Sequence, residues 1–429
     1  MKKLSYSKSD TMKLKPVDTT APLSFFAKNG YYVVDNKIFL HKIYAMQEAT
    51  KKHLGPADIN WVFNNDAYQT LDWKNPPEIS LSELYRIRAQ QLREKYSYLI
   101  LAFSGGGDST NILDAFILNN IRLDEVVVYC NRSQCAGKYV PSLSEDPHNM
   151  NSEWDYLIEP KLKWLETVSP HTKISFADPF EQIKVEEPGD DIVELTVRHT
   201  VIRYRQQVAL DEILLQRQDA HKNCAVILGI NAPVLTRIKK HCFVQFVDAP
   251  VSSVSSDYTF KGLRRNVEFF YWTPDMPEIV SIQARALLDD LRRNPQSINL
   301  LRESKILGVN PNFQSDTEKL DQHYGNSTDR TVFVQSLDEN RRRWTKQVLY
   351  PTYNSQSLQV AKNTSPCFNS EWQSWFFDNP HAKEIMDAHQ SAVVAHQNLI
   401  DPRFLITKDS KVHDYYVFRS KMYHIGDFT

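Results

Sequence analysis

The sequence predicts an α/β fold built around a doubly wound, mostly parallel sheet. Short, continuously apolar runs alternate with stretches of helical periodicity between residues 97 and 235. Such runs are typical of strands that are buried on both faces of a parallel sheet. The chain of 429 residues contains 12 glycines, and three of them follow the first apolar run as Gly105-Gly106-Gly107. Average usage of roughly 7% would give about 30 glycines, so this local concentration indicates a site with special backbone requirements.

Composition excludes several classes of protein. Hydrophobic residues make up 41% of the chain and the formal net charge is -1, which argues against intrinsic disorder. No apolar run approaches the roughly 20 residues of a membrane helix, and no apolar segment follows the basic N-terminus, so we expect neither membrane contact nor a secretory signal. The five cysteines form no CxxC pair, which argues against a disulfide framework and a structural zinc site. We therefore expect a cytoplasmic protein.

The first predicted unit is a small N-terminal α+β region, residues 1–95. Residues Tyr31–Phe39 alternate as in a β-hairpin that turns at Asp35-Asn36. Ser80 and Glu83 fit a capping box, which predicts a helix start there. One face of this helix carries Leu81, Leu84, Tyr85 and Leu92, while Arg86, Arg88, Arg93 and Lys95 are expected mostly elsewhere.

The central unit, residues 96–250, contains the alternating pattern. Its predicted strands are Tyr98–Phe103, Glu125–Cys130, Lys173–Ala177 and Cys224–Ile230. Its predicted helices cover Thr110–Asn120, about 153–168 and about 194–218. Strands that alternate with helices in this way indicate a parallel sheet.

The third predicted unit, residues 251–429, is expected to be a mainly helical substrate or lid domain. Helices are predicted at about 279–293 and 381–399, and a polar loop at 308–330. Residues 346–362 are expected to be partly extended, and residues 414–426 to form a closing hairpin or strand. The aromatic run at 269–272 is interpreted as core or domain interface.

The glycine run has the features of a phosphate-binding loop. Ser104-Gly105-Gly106-Gly107-Asp108-Ser109 lies directly after a predicted buried strand and directly before a predicted helix. The N-terminus of a helix offers unpaired N–H groups and the positive end of the helix dipole. Glycine lets the backbone approach an anion closely, while serine hydroxyls can donate to phosphate oxygens and Asp108 can hold Mg²⁺ or cap the helix. The Walker A pattern and its lysine are absent from the sequence.

The motif SGGGDS after an apolar strand resembles the SGGxDS PP-loop of the N-type ATP pyrophosphatase superfamily, which includes asparagine synthetases and 7-cyano-7-deazaguanine synthases. The resemblance covers roughly residues 97–235, and the segment FFYWTPDMPE (269–278) also resembles phage-encoded members. The resemblance implies that residues 96–250 form a PP-loop, ATP-binding domain with a fold of the HUP, or adenine nucleotide alpha hydrolase-like, type.

The resemblance also implies a site and a chemistry. Pyrophosphate of ATP would lie on the loop formed by Ser104, Gly105, Gly106, Gly107, Asp108 and Ser109, with Mg²⁺ at Asp108. Adenosine would lie across Ala102, Phe103 and Tyr129. The implied reaction is adenylation of a substrate oxygen with release of pyrophosphate, followed by attack of a nucleophile. We expect an AMP-forming, amide-type ligase that acts on a small-molecule substrate with a nitrogen nucleophile.

Adenylation requires cations on the transferring phosphates. Lys239 follows the last strand of the central pattern, and Lys362 ends the segment LQVAK in the C-terminal part. We take these two lysines, together with Asp108, as the candidate catalytic residues.

Two other functions remain open from the sequence. A tRNA or nucleobase modification enzyme with RNA as its partner predicts that Arg264, Arg265 and Arg341–Arg343 form a basic groove facing the loop. A non-catalytic ATP-binding or scaffolding protein is the other alternative. Asn231-Ala232-Pro233 favours it, because several members of the superfamily carry acidic residues after this strand. Glutamine-dependent ammonia supply is not expected, because Lys2 stands where asparagine synthetases have a cysteine.

Overall fold

A computed structural model describes parts of all three predicted units. The described residues are 30–39, 42–129, 157–177, 213, 216–217, 219–229, 233–238, 240–248, 267–294, 301–305, 331–335, 339–353, 397–406 and 414–428.

Seven helices and fifteen strands are named here. The helices are α1 (Lys42–Lys51), α2 (Asn65–Gln69), α3 (Leu81–Lys95), α4 (Gly107–Ile117), α5 (Glu159–Val168), α6 (Glu278–Arg293) and α7 (Glu339–Leu349). The strands are β1 (Tyr31–Val34), β2 (Lys37–Phe39), β3 (Ile59–Val62), β4 (Tyr98–Phe103), β5 (Glu125–Tyr129), β6 (Lys173–Ala177), β7 (Cys224–Leu228), β8 (Val234–Ile238), β9 (His241–Gln245), β10 (Val267–Phe269), β11 (Leu301–Lys305), β12 (Thr331–Gln335), β13 (Leu405–Ile406), β14 (Asp414–Tyr415) and β15 (Tyr423–Asp427).

A five-stranded, all-parallel sheet lies at the centre, in the order β10-β7-β4-β5-β6. Strand β4 is the middle strand, and Leu101 is in register with Val126 on one side and Ile227 on the other. Residues 99–103 are all buried, as expected for a strand covered on both faces. The α/β architecture with a parallel sheet is confirmed, and the four predicted strands lie within one or two residues of their expected bounds.

A second five-stranded sheet is antiparallel, in the order β11-β12-β8-β9-β15. The structure differs here from the expected helical C-terminal part, because strands from beyond residue 250 pair with β8 and β9. Strand β10 also lies beyond residue 250 but joins the parallel sheet. The sheets therefore cross the division predicted at residue 250. Pairing between segments so distant in the chain leaves no periodic signal in the local sequence.

The N-terminal part contains a three-stranded antiparallel sheet in the order β2-β1-β3. The predicted hairpin is confirmed, and Asp35 and Asn36 at its turn have φ angles of 46° and 60°, as a two-residue type I′ turn requires. The predicted cap of α3 is also present, because Ser80 Oγ accepts a hydrogen bond from the Glu83 amide at 3.2 Å.

Two further segments agree with the sequence in part. Helix α6 confirms the helix predicted at about 279–293, and β15 confirms a strand in the predicted tail segment. Residues 346–349 belong to α7 instead of the extended segment that was expected. The predicted loop 308–330 and helix 381–399 lie outside the described residues except at 397–399. Among the residues described, no helix combines the length and apolar character needed to cross a membrane.

Arg88 of α3 is fully buried, although the sequence placed it mostly away from the buried face. It follows Leu84 and Tyr85 by one turn and therefore shares their face of the helix. Its Nη2 lies 3.2 Å from Glu268 Oε2 on β10, and both side chains are 0% exposed. This buried ion pair fastens α3 to the edge of the parallel sheet.

Candidate functional site

The glycine loop lies at the carboxyl end of β4, where the strand order of the parallel sheet reverses. From β4 the chain adds β5 and then β6 on one side, and later places β7 and β10 on the other side. Crevices at such switch points, outside the carboxyl ends of the strands, are where open α/β sheets bind ligands. The loop predicted from sequence is therefore at the position where a ligand site is expected.

Backbone conformation explains one of the three glycines, and close packing explains another. Gly105 has a φ of +73°, and a Cβ atom there would lie 2.6 Å from Ile158 Cγ1. Gly107 is the first residue of α4, and a Cβ atom there would lie 2.9 Å from Lys346 Cδ and 3.0 Å from the ring of Tyr353. Gly106 has an ordinary φ of -68° and more room. The first and third glycines are required by conformation and packing, respectively.

The loop leads directly into the N-terminus of α4. Gly106 is the N-cap residue and, as a glycine, it has no side chain that could cap the first amides of the helix. The two serine hydroxyls bond within the loop: Ser104 Oγ accepts from the Gly106 amide at 3.4 Å, and Ser109 Oγ donates to the Gly106 carbonyl at 3.1 Å. The first N–H groups of a helix have no acceptor within the helix, so this terminus is suited to an anion.

Asp108 is bound by two side chains from the C-terminal part of the chain. Lys346 Nζ of α7 lies 2.7 Å from Asp108 Oδ2, and the Tyr350 hydroxyl donates a hydrogen bond to Asp108 Oδ1. The side chains of Asp108 and Lys346 are only 17% and 14% exposed. Burial by itself raises the pKa of the Asp108 carboxyl, but the charge and hydrogen bond of Lys346 and the hydrogen bond of Tyr350 outweigh burial and lower the pKa. Asp108 is therefore charged at neutral pH.

Two tyrosines, Tyr271 and Tyr350, pack against each other beside Asp108. The Tyr271 hydroxyl donates to the Asp108 carbonyl at 2.9 Å and accepts from Asn111 Nδ2 at 2.9 Å. The rings of Tyr271 and Tyr350 stack at a centroid distance of 5.5 Å. Burial raises the pKa of Tyr271 and of Tyr350 well above the ordinary value, so both hydroxyls stay protonated and can donate. Residues 269–272 are all buried, which confirms their interpretation as core or interface.

A second set of contacts joins the same helix to its neighbours. Asp114, further along α4, accepts hydrogen bonds from Lys161 Nζ of α5 and from Thr352 Oγ1 at 2.7 Å. Gly229, directly after β7, comes so close that a Cβ atom would lie 3.2 Å from Asp108 Cβ. These contacts fix the position of α4 relative to the sheet and to the segment after α7.

Among the other predicted site residues, the structure describes the side chains of Ala102 and Phe103 only. Ala102 and Phe103 end β4 at the loop, but their side chains are 3% and 0% exposed, so their proposed adenosine contacts would involve backbone more than side chain. Tyr129 ends β5, and its side chain lies outside the described part of the structure. Lys239 and Lys362 also lie outside the described residues. Their assignment as catalytic residues stays a prediction.

Sequence reasoning missed the residues that contact Asp108. Lys346 and Tyr350 are 238 and 242 positions away along the chain, and no local motif marks them. The sequence instead indicated the nearby basic run Arg341–Arg343 as part of a groove for RNA. Their side chains, like Arg264 and Arg265, lie outside the described residues, so the predicted basic groove stays a prediction.

Comparison of this chain with protein families, with curated proteins and with solved structures finds no match. The features of this chain that bear on its function are the glycine loop, the position of the loop in the parallel sheet and the side chains that contact Asp108.

Proposed function

We propose that the chain binds ATP and Mg²⁺ and adenylates a substrate oxygen, with release of AMP and pyrophosphate over the complete reaction. One observation carries the proposal: the SGGGDS loop joins the middle strand of a parallel sheet to a helix N-terminus at the point where the strand order reverses. The order β6-β5-β4-β7-β10 corresponds to the strand order of doubly wound nucleotide-binding sheets. This supports the HUP-like, doubly wound assignment.

The loop provides an anion site for the pyrophosphate part of ATP. The amides of the first turn of α4 would donate to phosphate oxygens, helped by the positive end of the helix dipole. Ser104 and Ser109 would exchange their bonds within the loop for bonds to the phosphates. Without a Walker lysine the loop is better suited to holding a pyrophosphate than to transfer of a γ-phosphoryl group.

Asp108 fits the role of a Mg²⁺ ligand, because it is a charged carboxylate at the start of α4 and Mg²⁺ binds through carboxylates and substrate phosphates. When bound, Mg²⁺ supplies neutralisation of phosphate charge. Lys346 lies 2.7 Å from the same carboxylate. Its ammonium would therefore be within a short side-chain movement of phosphates on the loop, where a positive charge stabilises a leaving pyrophosphate.

In the proposed reaction a substrate oxygen attacks the α-phosphorus of ATP. A new bond forms between oxygen and phosphorus, the bond to the bridging oxygen breaks, and pyrophosphate leaves with that electron pair. A nitrogen nucleophile then attacks the carbon that bears the adenylated oxygen. The bond between that carbon and that oxygen breaks, AMP leaves with the electron pair, and the nitrogen releases a proton to solvent. The loop and Lys346 contribute by stabilising charge on the departing pyrophosphate.

The proposal is tested with ATP labelled at the α-phosphate, Mg²⁺ and pools of amino acids, small RNA or cell extract. We expect labelled AMP and an equal amount of pyrophosphate, which Asp108→Ala abolishes. Asp72→Ala, at an exposed position away from the loop, is the matched control and should leave the products unchanged. Lys346→Met should lower AMP formation by about 10²–10³-fold, as loss of one such electrostatic contact does elsewhere. Formation of ADP alone would contradict the proposal.

One observation favours a second function, that of a non-catalytic ATP-binding protein. Both carboxylate oxygens of Asp108 already have partners, namely Lys346 and Tyr350, which would oppose Mg²⁺ binding. This alternative predicts that calorimetry detects ATP binding, while no acceptor pool yields AMP. RNA as the acceptor would instead appear as AMP formation that depends on the RNA pool.

A further inference from the structure

Two histidines and an aspartate meet on one face of the antiparallel sheet, separate from the glycine loop. His241 begins β9 and is in register with Asp427 at the end of β15. His241 Nδ1 lies 2.7 Å from Asp427 Oδ1, and His424 Nε2 lies 3.3 Å from the same oxygen. One ligand atom from each of the three residues lies within 4.8 Å of the others.

A β-bulge brings the three side chains to the same face. Residues three apart on a regular strand point to opposite faces, because side chains alternate. Between His424 and Gly426 the pairing with β9 shifts by one residue, which returns Asp427 to the face that carries His424. Gly426 has a φ of +136°, a conformation that other residues rarely adopt. Bulges of this kind re-aim side chains and are frequent beside functional sites.

The surroundings allow an ion to enter. The side chains of His241, His424 and Asp427 are 10%, 18% and 32% exposed, so the cluster is half-buried but open on the aspartate side. Lys240 Nζ lies 3.5 Å from Asp427 Oδ2, and its side chain is 59% exposed. Such an exposed lysine can turn into solvent at little cost, since exposed ion pairs contribute little to stability.

We propose that His241, His424 and Asp427 form a binding site for one divalent transition-metal ion of the Zn²⁺ type. Imidazole nitrogen and carboxylate oxygen are zinc ligands with bond lengths of about 2.0–2.2 Å, which separate tetrahedral ligand atoms by roughly 3.3–3.6 Å. The 3.3 Å separation between His424 Nε2 and Asp427 Oδ1 meets that requirement. The 2.7 Å separation between His241 Nδ1 and Asp427 Oδ1 is a hydrogen-bond length, so these two atoms would have to move apart by about 0.6 Å to share an ion. Three protein ligands leave a fourth position for water. The ion would join β15, near the end of the sequence, to β9.

The test uses the full chain without an affinity tag, stripped of metal by a chelator and titrated with ZnCl₂. The wild type is expected to bind one more equivalent of Zn²⁺ than Asp427→Asn and His424→Gln. His171→Gln, which alters an exposed histidine elsewhere, is the matched control and should retain that equivalent. Co²⁺ is expected to give the visible bands of a tetrahedral site in the wild type and in His171→Gln, but not in Asp427→Asn. MgCl₂ at the same concentration should not compete.

A variant that keeps all three ligands distinguishes a loss of Zn²⁺ binding at the site from a loss caused by misfolding. Lys240→Ala removes a positive charge beside Asp427 and is expected to tighten Zn²⁺ binding by about two- to fivefold at low salt, which corresponds to an interaction of up to about 1 kcal/mol in water. Equal Zn²⁺ stoichiometry in the wild type, Asp427→Asn and His424→Gln would overturn the proposal. Unchanged Zn²⁺ affinity in Lys240→Ala would count against the placement of the ion at Asp427.

Discussion

Replacing Lys346 by methionine tests whether the ion pair between α7 and Asp108 of the glycine loop stabilises the fold. The distance of 2.7 Å between Lys346 Nζ and Asp108 Oδ2 corresponds to a Coulomb attraction of about 6 kcal/mol at an effective dielectric constant of about 20. Part of this is offset by the cost of removing the lysine from water, and the hydrogen bond from Tyr350 remains. We therefore expect Lys346→Met to lower the free energy of unfolding by about 3 kcal/mol, at the lower end of the range for breaking a buried ion pair.

The effect should depend on pH in a defined direction. The folded-state pKa of Asp108 is lowered, so its contribution to stability is present above the unfolded-state pKa of about 3.9. That contribution is lost as the pH falls through the lower folded-state pKa. The difference in unfolding free energy between the wild type and Lys346→Met should thus be largest near neutral pH and shrink below about pH 4.

Urea denaturation at several pH values measures this difference, and a double-mutant cycle with Asp108→Asn isolates the pairwise energy. Gln347→Met, at the neighbouring exposed position of the same helix, is the matched control and should change stability by less than about 0.5 kcal/mol. A coupling energy between Lys346 and Asp108 of less than about 0.5 kcal/mol at pH 7 would show that this ion pair does not stabilise the fold.

Two further substitutions test the loop and the sheet edge. Gly105→Ala should lower the free energy of unfolding by about 2–4 kcal/mol, because it combines a positive φ with overpacking. The control Gly106→Ala, at a residue with an ordinary φ, should lower it by less than about 1 kcal/mol. Equal losses for the two variants in chemical denaturation would argue against the backbone explanation. Arg88→Met should cost about 3 kcal/mol, at the lower end of the range for breaking a buried ion pair, because it removes the fully buried cation beside Glu268 while Lys95 and the Tyr96 hydroxyl remain as partners of that carboxylate. The control Arg86→Met, whose salt bridge is about 40% exposed on both sides, should cost less than about 1 kcal/mol, and comparable melting temperatures for the two variants would contradict a special role of burial.

Local pattern was enough to predict several elements of this protein. The apolar run Tyr98–Phe103 forms the middle strand β4 at its predicted bounds, because burial on both faces selects continuous apolar sequence. The hairpin turn at Asp35-Asn36 was also predictable, since these residue types tolerate the positive φ of its turn. In each case a few adjacent residues specify the backbone by themselves.

Other features could not be predicted from local sequence. Arg88 carries a charge that suggests exposure, yet its partner Glu268 is 180 positions away and makes burial acceptable. The antiparallel sheet assembles strands β8 and β9 with β11, β12 and β15, and neither the order nor the register of such distant strands is encoded in any one of them.

Adjacent residues were sufficient to predict the position of the candidate site, because the SGGGDS loop follows a recognisable buried strand and precedes a recognisable helix. The surroundings of the loop depend on how distant segments pack. Lys346 and Tyr350 reach Asp108 only because α7 packs against the start of α4, and His424 meets His241 only through the bulge in β15. Backbone conformation depends on residues that are close in the sequence. The pairing of charges and ligands depends on which distant segments pack together.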